Sequence, residues 1–440
     1  MLFQNANCAC LGNVTGNSGT AVLKITLSGQ LNFRMKNIIM TFRLINTLLL
    51  IITSVTVGLS CSMFKITKDG KTMVGNNEDF SNPNSRIWFE RASLGKMGVV
   101  YLGFDDLEPQ GGMNEAGLVF DGFAVDPRLH KQISSTKIAI DLFPFKEVMS
   151  KCKNVDDVYN MLNKYNLSIM DLYTVFYVDK MGNYLIVEPD TLIKGNKATY
   201  ALSNFCPSVT SDFSKVDLPY FQKGRQLLEN KTDTSIPFCA SVADSMHQSW
   251  QDEIGGTLYS TIYDLEAGTI DLYFYHDFSK SIKFNLKNEL QKRDTVLIIP
   301  KMFLDNKAGQ KHFSSYNTAK KQIEILKNEN YAKDTTKINA LLKNDDLRKF
   351  LPVMEDDINN IGYDYLLKYK KYDLAVNVLK INTEFCPWSS NAFDSLGEAY
   401  FKNKQYALAL KAYNKSVEKN PNNDNGKKQI IKLKKLLKTK

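Results

Sequence analysis

Between residue 61 and about residue 300 the chain alternates short apolar runs with turn residues, and beyond about residue 314 that rhythm gives way to a helical period. Runs of β-branched and aromatic residues bounded by Gly, Asn or Asp read as strands. Residues 64–67 followed by Asp69-Gly70, and 72–74 followed by Gly75-Asn76-Asn77, predict a hairpin that begins within three residues of Cys61. Further strands are predicted at 99–103, 118–123, 173–178, 184–188 and 199–203, with Asp179-Lys180-Met181-Gly182-Asn183 as a hairpin turn. Another pair, 257–263 and 269–275, is joined across 264–268. Helical patterns at 145–151, 155–165 and 220–229 interrupt the strands without a regular βαβ alternation, which predicts α+β layers.

The last third is rich in Lys, Asn and Leu and poor in strand signals. Tyr372, Leu374, Ala375 and Pro387 recur 34 residues later as Tyr406, Leu408, Ala409 and Pro421. This period, and the run Phe393-x-x-Leu396-Gly397-x-x-Tyr400 followed by Tyr406, Ala409, Tyr413 and Pro421, resembles tetratricopeptide repeats. Small Gly397 and Ala409 let paired helices approach, and the aromatics fill the groove between them. Two repeats are expected, with 424–440 as a polar cap. Because about three repeats are usually needed for stability, helices before residue 356 or the strand-rich domain must cover the open end. The expected division is a leader at 1–60, a catalytic domain at 61–300, a helical connector at 301–355 and repeats at 356–440. The repeats read equally well as a docking surface for a protein partner and as a stabilising appendage.

Ahead of Cys61, Arg43 precedes an uncharged apolar run at 44–57 and then Gly58-Leu59-Ser60. A run of 14 residues is too short to span a bilayer, which takes about 20. A basic start, a short apolar run and a small-residue exit describe a secretory signal. Export to the periplasm or the cell exterior is the expectation, with Met35 or Met40 as the more natural start. The net charge of +9 is uneven, since 427–440 carries seven lysines and no acid. Such a tail suits anionic lipid or wall polymer, or simply the solvated face of a closing helix. No aromatic–basic interleaving accompanies it, so nucleic acid is not an expected partner. Membrane contact is expected only through the leader or a lipid anchor.

Chemistry concentrates at one residue. Removing the leader takes away Cys8 and Cys10 and leaves Cys61, Cys152, Cys206, Cys239 and Cys386, an odd number that flags an unpaired thiol. The four histidines (130, 247, 276 and 312) form no close zinc motif, so neither a metal nor another cofactor is expected. A cysteine at a newly exposed terminus offers a thiol and an α-amine together. That amine titrates at about 7.7–8.0 when unperturbed and can accept the thiol proton near neutrality. The competing reading is a lipid-modified cysteine, which would block the amine. It calls for an apolar residue three places before the cysteine, and Gly58 stands there.

Cys61-Ser62-Met63-Phe64 followed by Gly75-Asn76-Asn77-Glu78-Asp79-Phe80 resembles the choloylglycine hydrolase and penicillin V acylase group of linear-amide hydrolases. Three more segments fit that group in order: Gly112-Met113-Asn114-Glu115-Ala116-Gly117-Leu118, Leu202-Ser203-Asn204, and Gly256-Thr257-Leu258-Tyr259-Ser260-Thr261-Ile262-Tyr263-Asp264. The resemblance covers roughly residues 61–280 and implies a four-layer αββα N-terminal-nucleophile fold, here followed by a small all-α repeat domain. It implies that Cys61 is nucleophile and, through its amine, base. Asp79 would hold the Cys61 terminus in register, Asn204 would donate to the developing oxyanion, and Arg225 would favour the thiolate by its charge. The implied substrate is a small N-acyl amide. Two departures stand out. Asn76 replaces an arginine beside the nucleophile, with Arg86 or Arg91 as possible substitutes, and Ala124 falls where a second asparagine is expected. Both argue against strict bile-salt specificity. Phe64, Phe80, Phe120 and Phe123 are expected to flank the site and favour an apolar acyl group. The alternative from another class is a lipid-anchored or inactive binding module whose repeats recruit a partner.

Overall fold

The computed structural model describes residues 61–126, 136–250 and 253–438. The secretory-signal reading at 44–60, and Cys8 and Cys10, lie outside the described residues.

The chain opens with strands β1 (Ser62–Lys68) and β2 (Lys71–Phe80), joined by the Asp69-Gly70 turn. Both turn residues have positive φ, 52° and 79°, the geometry that the right-handed twist of a two-residue hairpin requires. The following strands are β3 (Arg86–Glu90), β4 (Val99–Gly103), β5 (Pro109–Asn114), β6 (Val119–Ala124), β7 (Ile138–Ala139) and β8 (Tyr165–Asn166). Then come β9 (Tyr173–Val178), β10 (Tyr184–Glu188), β11 (Thr191–Gly195) and β12 (Thr199–Leu202). The last strands are β13 (Gly256–Asp264), β14 (Thr269–Phe274), β15 (Asp277–Asn285) and β16 (Thr295–Ile298).

Apart from β7 and β8, which pair with each other in parallel, these strands form two large antiparallel sheets. One runs β12-β1-β2-β13-β14-β15 and the other β11-β10-β9-β6-β5-β4-β3-β16. Strand alternation sends every second residue to each face, and both faces of each sheet are apolar. Met63, Val74, Val100, Leu102, Val119, Phe123, Phe176, Tyr259 and Leu272 fill the space between the sheets. Helices α1 (Phe145–Lys151) and α2 (Val155–Leu162) cover the outer face of the eight-stranded sheet through Val148, Met149, Val158 and Leu162 against Tyr101, Phe120 and Tyr177. Helices α3 (Pro219–Asn230) and α4 (Ile236–Met246) cover the six-stranded sheet through Phe221, Leu228, Val242 and Met246 against Phe64, Ile66, Met73 and Ile262. The result is a four-layer αββα sandwich. Each fully buried Leu, Ile or Phe contributes about 1.5–3 kcal/mol to it.

The strands that pattern alone does not reveal have physical reasons for hiding. Strand β5 reads Pro-Gln-Gly-Gly-Met-Asn, a turn-like sequence, yet it lies inside the sheet. A Cβ on Gly112 would collide with the Val100 carbonyl oxygen, so the glycine is there to let β4 and β5 close.

The last strand ends at Ile298 and the rest is helical. The main elements are α5 (Lys307–Glu324), α6 (Thr335–Leu341), α7 (Asp345–Phe350), α8 (Glu355–Tyr363), α9 (Tyr372–Phe385), α10 (Ser390–Lys402), α11 (Tyr406–Lys419) and α12 (Asp424–Lys438). The 301–355 stretch is more than a connector, because Tyr316, Ile323, Leu347 and Phe350 share one core with Leu379, Leu396, Tyr413 and Leu433 of the repeats. Gly397 faces the Tyr413 ring closely enough that an added Cβ would lie 3.0 Å from it. Helix α8 covers the open end of the repeats. Its Glu355 carboxylate accepts Ser389 Oγ at 2.6 Å and Asn391 Nδ2 at 3.2 Å, while Asn382 Nδ2 donates to the Glu355 carbonyl at 2.9 Å.

Helix α5 docks on the sandwich. His312 Nδ1 lies 2.8 Å from the Glu253 carbonyl, and its ring stacks on Tyr275 with centroids 5.3 Å apart. Asn84 Nδ2 donates to Asn317 Oδ1 at 3.1 Å and Asn306 Nδ2 to the Phe274 carbonyl at 2.9 Å.

Candidate active site

Strand register positions the site. In the β1–β2 pair Ser62 lies opposite Asn77 and Met63 opposite Asn76, so one step further Glu78 stands opposite Cys61. In the β1–β12 pair Met63 lies opposite Leu202, so the same ladder carried past the strand end brings Asn204 alongside Cys61 on its other flank. Directly opposite residues hold their Cβ atoms about 4.5–5.5 Å apart. Cys61 is thus framed by an acid on one side and a carboxamide on the other.

Alternation then decides which side chains point where. Cys61 and Met63 face the space between the sheets. Across the ladder, Asn76 and Glu78 face the same way, toward Asp121 of β6 in the opposing sheet. Asn76 Nδ2 donates to the Asp121 carboxylate, whose other oxygen accepts the Gly122 amide at 2.9 Å. Glu78 is buried on the face of Cys61, and Tyr259 is the residue opposite it on β13. Asn77 turns to the helical side, where its Nδ2 donates to the Ala243 carbonyl at 2.9 Å and its Oδ1 accepts Ser260 Oγ at 2.7 Å.

The predicted site residues divide accordingly. Asp79 shares the face of Asn77, and its carboxylate accepts from Gln248 Nε2 and Thr257 Oγ1. Cys61 Sγ meets the Asp79 backbone carbonyl at 3.9 Å, and the Asp79 carboxylate acts on the thiol through space as a charge. Ser203 Oγ donates to the Cys61 carbonyl at 2.8 Å and contacts Asn204 Oδ1 at 3.2 Å and Tyr220 Oη at 2.9 Å. Asn204 Nδ2 crosses to the opposing sheet and donates to the Ala124 carbonyl at 2.7 Å. A backbone oxygen therefore orients the Asn204 amide at the position where a second asparagine was expected.

Arg225 is not brought to the thiol. On α3 the residues Phe221, Gly224 and Leu228 form the buried stripe, which leaves Arg225 at its margin. Its Nε donates to Gln222 Oε1 at 3.0 Å and its guanidinium pairs with Glu229 at 2.6 Å along the same helix. Neither proposed substitute for the arginine at position 76 reaches the thiol either. Arg86 donates to the Asn84 and Ser85 carbonyls, and Arg91 pairs with exposed Asp294. Of the four phenylalanines, Phe80 and Phe123 line the inter-sheet layer, whereas Phe64 packs under α3 and α4 and Phe120 under α1 and α2. Cys152, Cys206, Cys239 and Cys386 are buried and not disulfide-bonded.

The electrostatics follow from burial among acids. Desolvation raises the Cys61 thiol pKa well above its ordinary value, and the charges of Glu78, Asp121 and Asp79 raise it further. Burial pushes the Glu78 carboxyl above its ordinary range. Burial also pushes Asp79 and Asp121 well up, and the charge of Glu78 adds to both. The resting thiol is therefore protonated. Among the described residues, no group of three or more His, Cys, Asp or Glu is arranged to hold a metal ion.

Pattern reading missed Glu78, Asp121, Ser203 and Tyr259. For Glu78 the missing step was the period of two: in Gly75-Asn76-Asn77-Glu78-Asp79 only Asn76 and Glu78 share the face of Cys61.

Residues 395–423 match the tetratricopeptide repeat family. No curated protein matches the chain by sequence. Among solved structures, the chain resembles penicillin V acylase from Agrobacterium tumefaciens, at 14% identity and a TM-score of 0.44 over 54% of this chain and 91% of that one. It also resembles two single-residue variants of the conjugated bile acid hydrolase from Clostridium perfringens. Each is 17% identical and covers 54% of this chain and 96% of that one, with TM-scores of 0.42 and 0.43.

Proposed function

We propose that this chain is an exported hydrolase of linear amides that works through an acyl-enzyme on Cys61. The observation that carries the reading is the register: a single buried thiol stands at the start of β1, between the Asn204 carboxamide and a carboxylate. Cleavage before Cys61 would place an α-amine on the same residue. The thiol gives up its proton within the site, and sulfur attacks the amide carbon. The negative charge that develops on the carbonyl oxygen is met by the Asn204 amide, which the Ala124 carbonyl holds in orientation. One such donor is typically worth about 2.7–4 kcal/mol in the transition state. The C–N bond then breaks, the amine leaves with a proton, and water releases the acyl group from sulfur.

In this scheme Asp79 anchors the end of β2 through Thr257 and Gln248 and contributes charge beside the terminus. Arg225, paired with Glu229, has no chemical step. Phe80 and Phe123 supply the apolar wall for an acyl group. The test uses the chain beginning at Cys61, incubated with a panel of N-acyl amides that differ in acyl length and in the amine released. The released amine is quantified, with Cys61→Ser as control. Release by the parent and none by the serine variant is the expected result, and equal release by both would overturn the reading.

A further inference from the structure

We infer that the lysine-rich outer face of α12 (Asp424–Lys438) docks on an anionic lipid bilayer. The inference stands on the helical third alone and is independent of the chemistry at Cys61.

Charge along the chain is segregated. Residues 390–440 carry twelve lysines against four acids, whereas residues 61–389 carry 40 basic residues and 43 acids. Six of those twelve lysines lie on α12, where Asp424 is the one acid. The helix turns its apolar stripe inward: Leu433 is fully buried in the shared helical core and Ile430 packs against it. The lysines stand on the opposite face. Lys427 and Lys428 lie one turn before Ile431, Lys434 and Lys435 one turn after it, and Lys438 a turn further, all of them exposed. Lys427 pairs with Asp424 at 3.2 Å, and no described acid pairs with Lys428, Lys434 or Lys438.

Two features of that face call for a partner. Like charges three and four residues apart repel on a helix, and an anionic surface relieves that repulsion. Ile431, at the centre of the face, is 58% exposed, and every residue three or four places away toward solvent is lysine. Water is a poor medium for that side chain, and a hydrated phosphate polymer is no better, since it offers charge without an apolar phase. A bilayer offers both: anionic headgroups for the lysines and the acyl boundary beneath them for the isoleucine. Leu437, at the margin of the face, is also exposed. The contact is peripheral, since among the described residues no helix is long and apolar enough to cross a membrane. Each lysine near such a surface strengthens binding about fivefold.

The test measures co-sedimentation of the chain beginning at Cys61 with lipid vesicles, so that the apolar run at 44–57 cannot itself carry binding. Vesicles of equal parts phosphatidylcholine and phosphatidylglycerol are compared with vesicles of phosphatidylcholine alone. Binding to the anionic vesicles only, lost as salt rises from about 0.1 M to about 1 M, is the expected result. Equal binding to both compositions overturns the proposal. Lys428→Gln, Lys434→Gln and Lys438→Gln combined keep the helix propensity and should weaken binding about 100-fold. Anionic binding that survives the triple substitution puts the contact elsewhere and overturns the proposal too. Ile431→Ser should weaken binding about tenfold and leave its salt dependence in place. Unchanged binding by Ile431→Ser removes the case for a lipid and overturns the proposal, and capture on immobilised polyphosphate would then identify a soluble polyanion as the occupant. All four positions are exposed, so each variant should unfold at the parent midpoint.

Discussion

Glu78 and Asp79 share a peptide bond and face opposite layers, and that separation organises the site. Glu78 lies on the face of Cys61, while Asp79 ties β2 to Gln248 and Thr257 on the helical side. Cys61, Asp79 and Asn204, which the fold brings to one end of β1, each sit in a short, ordered motif of the sequence. Glu78 lay inside one of those motifs and was passed over, because a motif names neighbours in the chain and a strand sorts them by parity. Arg225 poses a different difficulty. A basic residue on an amphipathic helix carries no record of whether its partner lies across the fold or one turn away, and here it is Glu229. At this scale Asn204→Ala is the sharpest prediction. Losing the bond to Ala124 should cost about 1 kcal/mol of stability, whereas losing an oxyanion donor should lower kcat by about 10²–10³. Urea melts and steady-state kinetics on the same variant separate the two effects.

Among the elements, the predicted strands with strong β-branched and aromatic runs appear at the expected bounds, 99–103, 173–178 and 184–188. Strand β5 escaped because its glycines look like a turn, although they serve a close approach. Gly112→Ala drives a methyl group into the Val100 carbonyl and must push β4 and β5 apart, at a cost of about 1–3 kcal/mol. Gly122→Ala, on the neighbouring strand β6, meets nothing closer than the Gln110 carbonyl at 3.8 Å and should be accommodated without loss. Thermal unfolding of the pair checks both. A midpoint drop in Gly122→Ala as large as that in Gly112→Ala would show that the strand spacing is not what the glycine protects.

Across the whole molecule, the helical third and the sandwich meet at His312. The repeats were legible from their 34-residue period, since Tyr372, Leu374 and Ala375 return at Tyr406, Leu408 and Ala409. The shared core that joins 301–355 to them was not, because tertiary packing between unlike helices leaves no period. His312 is buried under Tyr275 and bonded to the Glu253 carbonyl, and burial pulls its pKa down from 6.5 to about 4. Between those two values the unfolded chain binds the proton that the folded chain refuses. Stability is therefore full above the unfolded value and falls as pH drops from 6.5 toward 4, by on the order of 3 kcal/mol. Urea melts across that window should show the loss in the wild type and a flatter dependence in His312→Gln. Equal slopes would place the acid sensitivity elsewhere.

The proposed chemistry turns on the sulfur of Cys61. The most direct test is intact-mass spectrometry of the chain beginning at Cys61, acid-quenched while it turns over an N-acyl amide. The prediction is a mass increase equal to the acyl group, mapped to the Cys61 peptide and absent from Cys61→Ala, which is also inactive. Turnover that persists in Cys61→Ala, or an acyl group found on another residue, would contradict it.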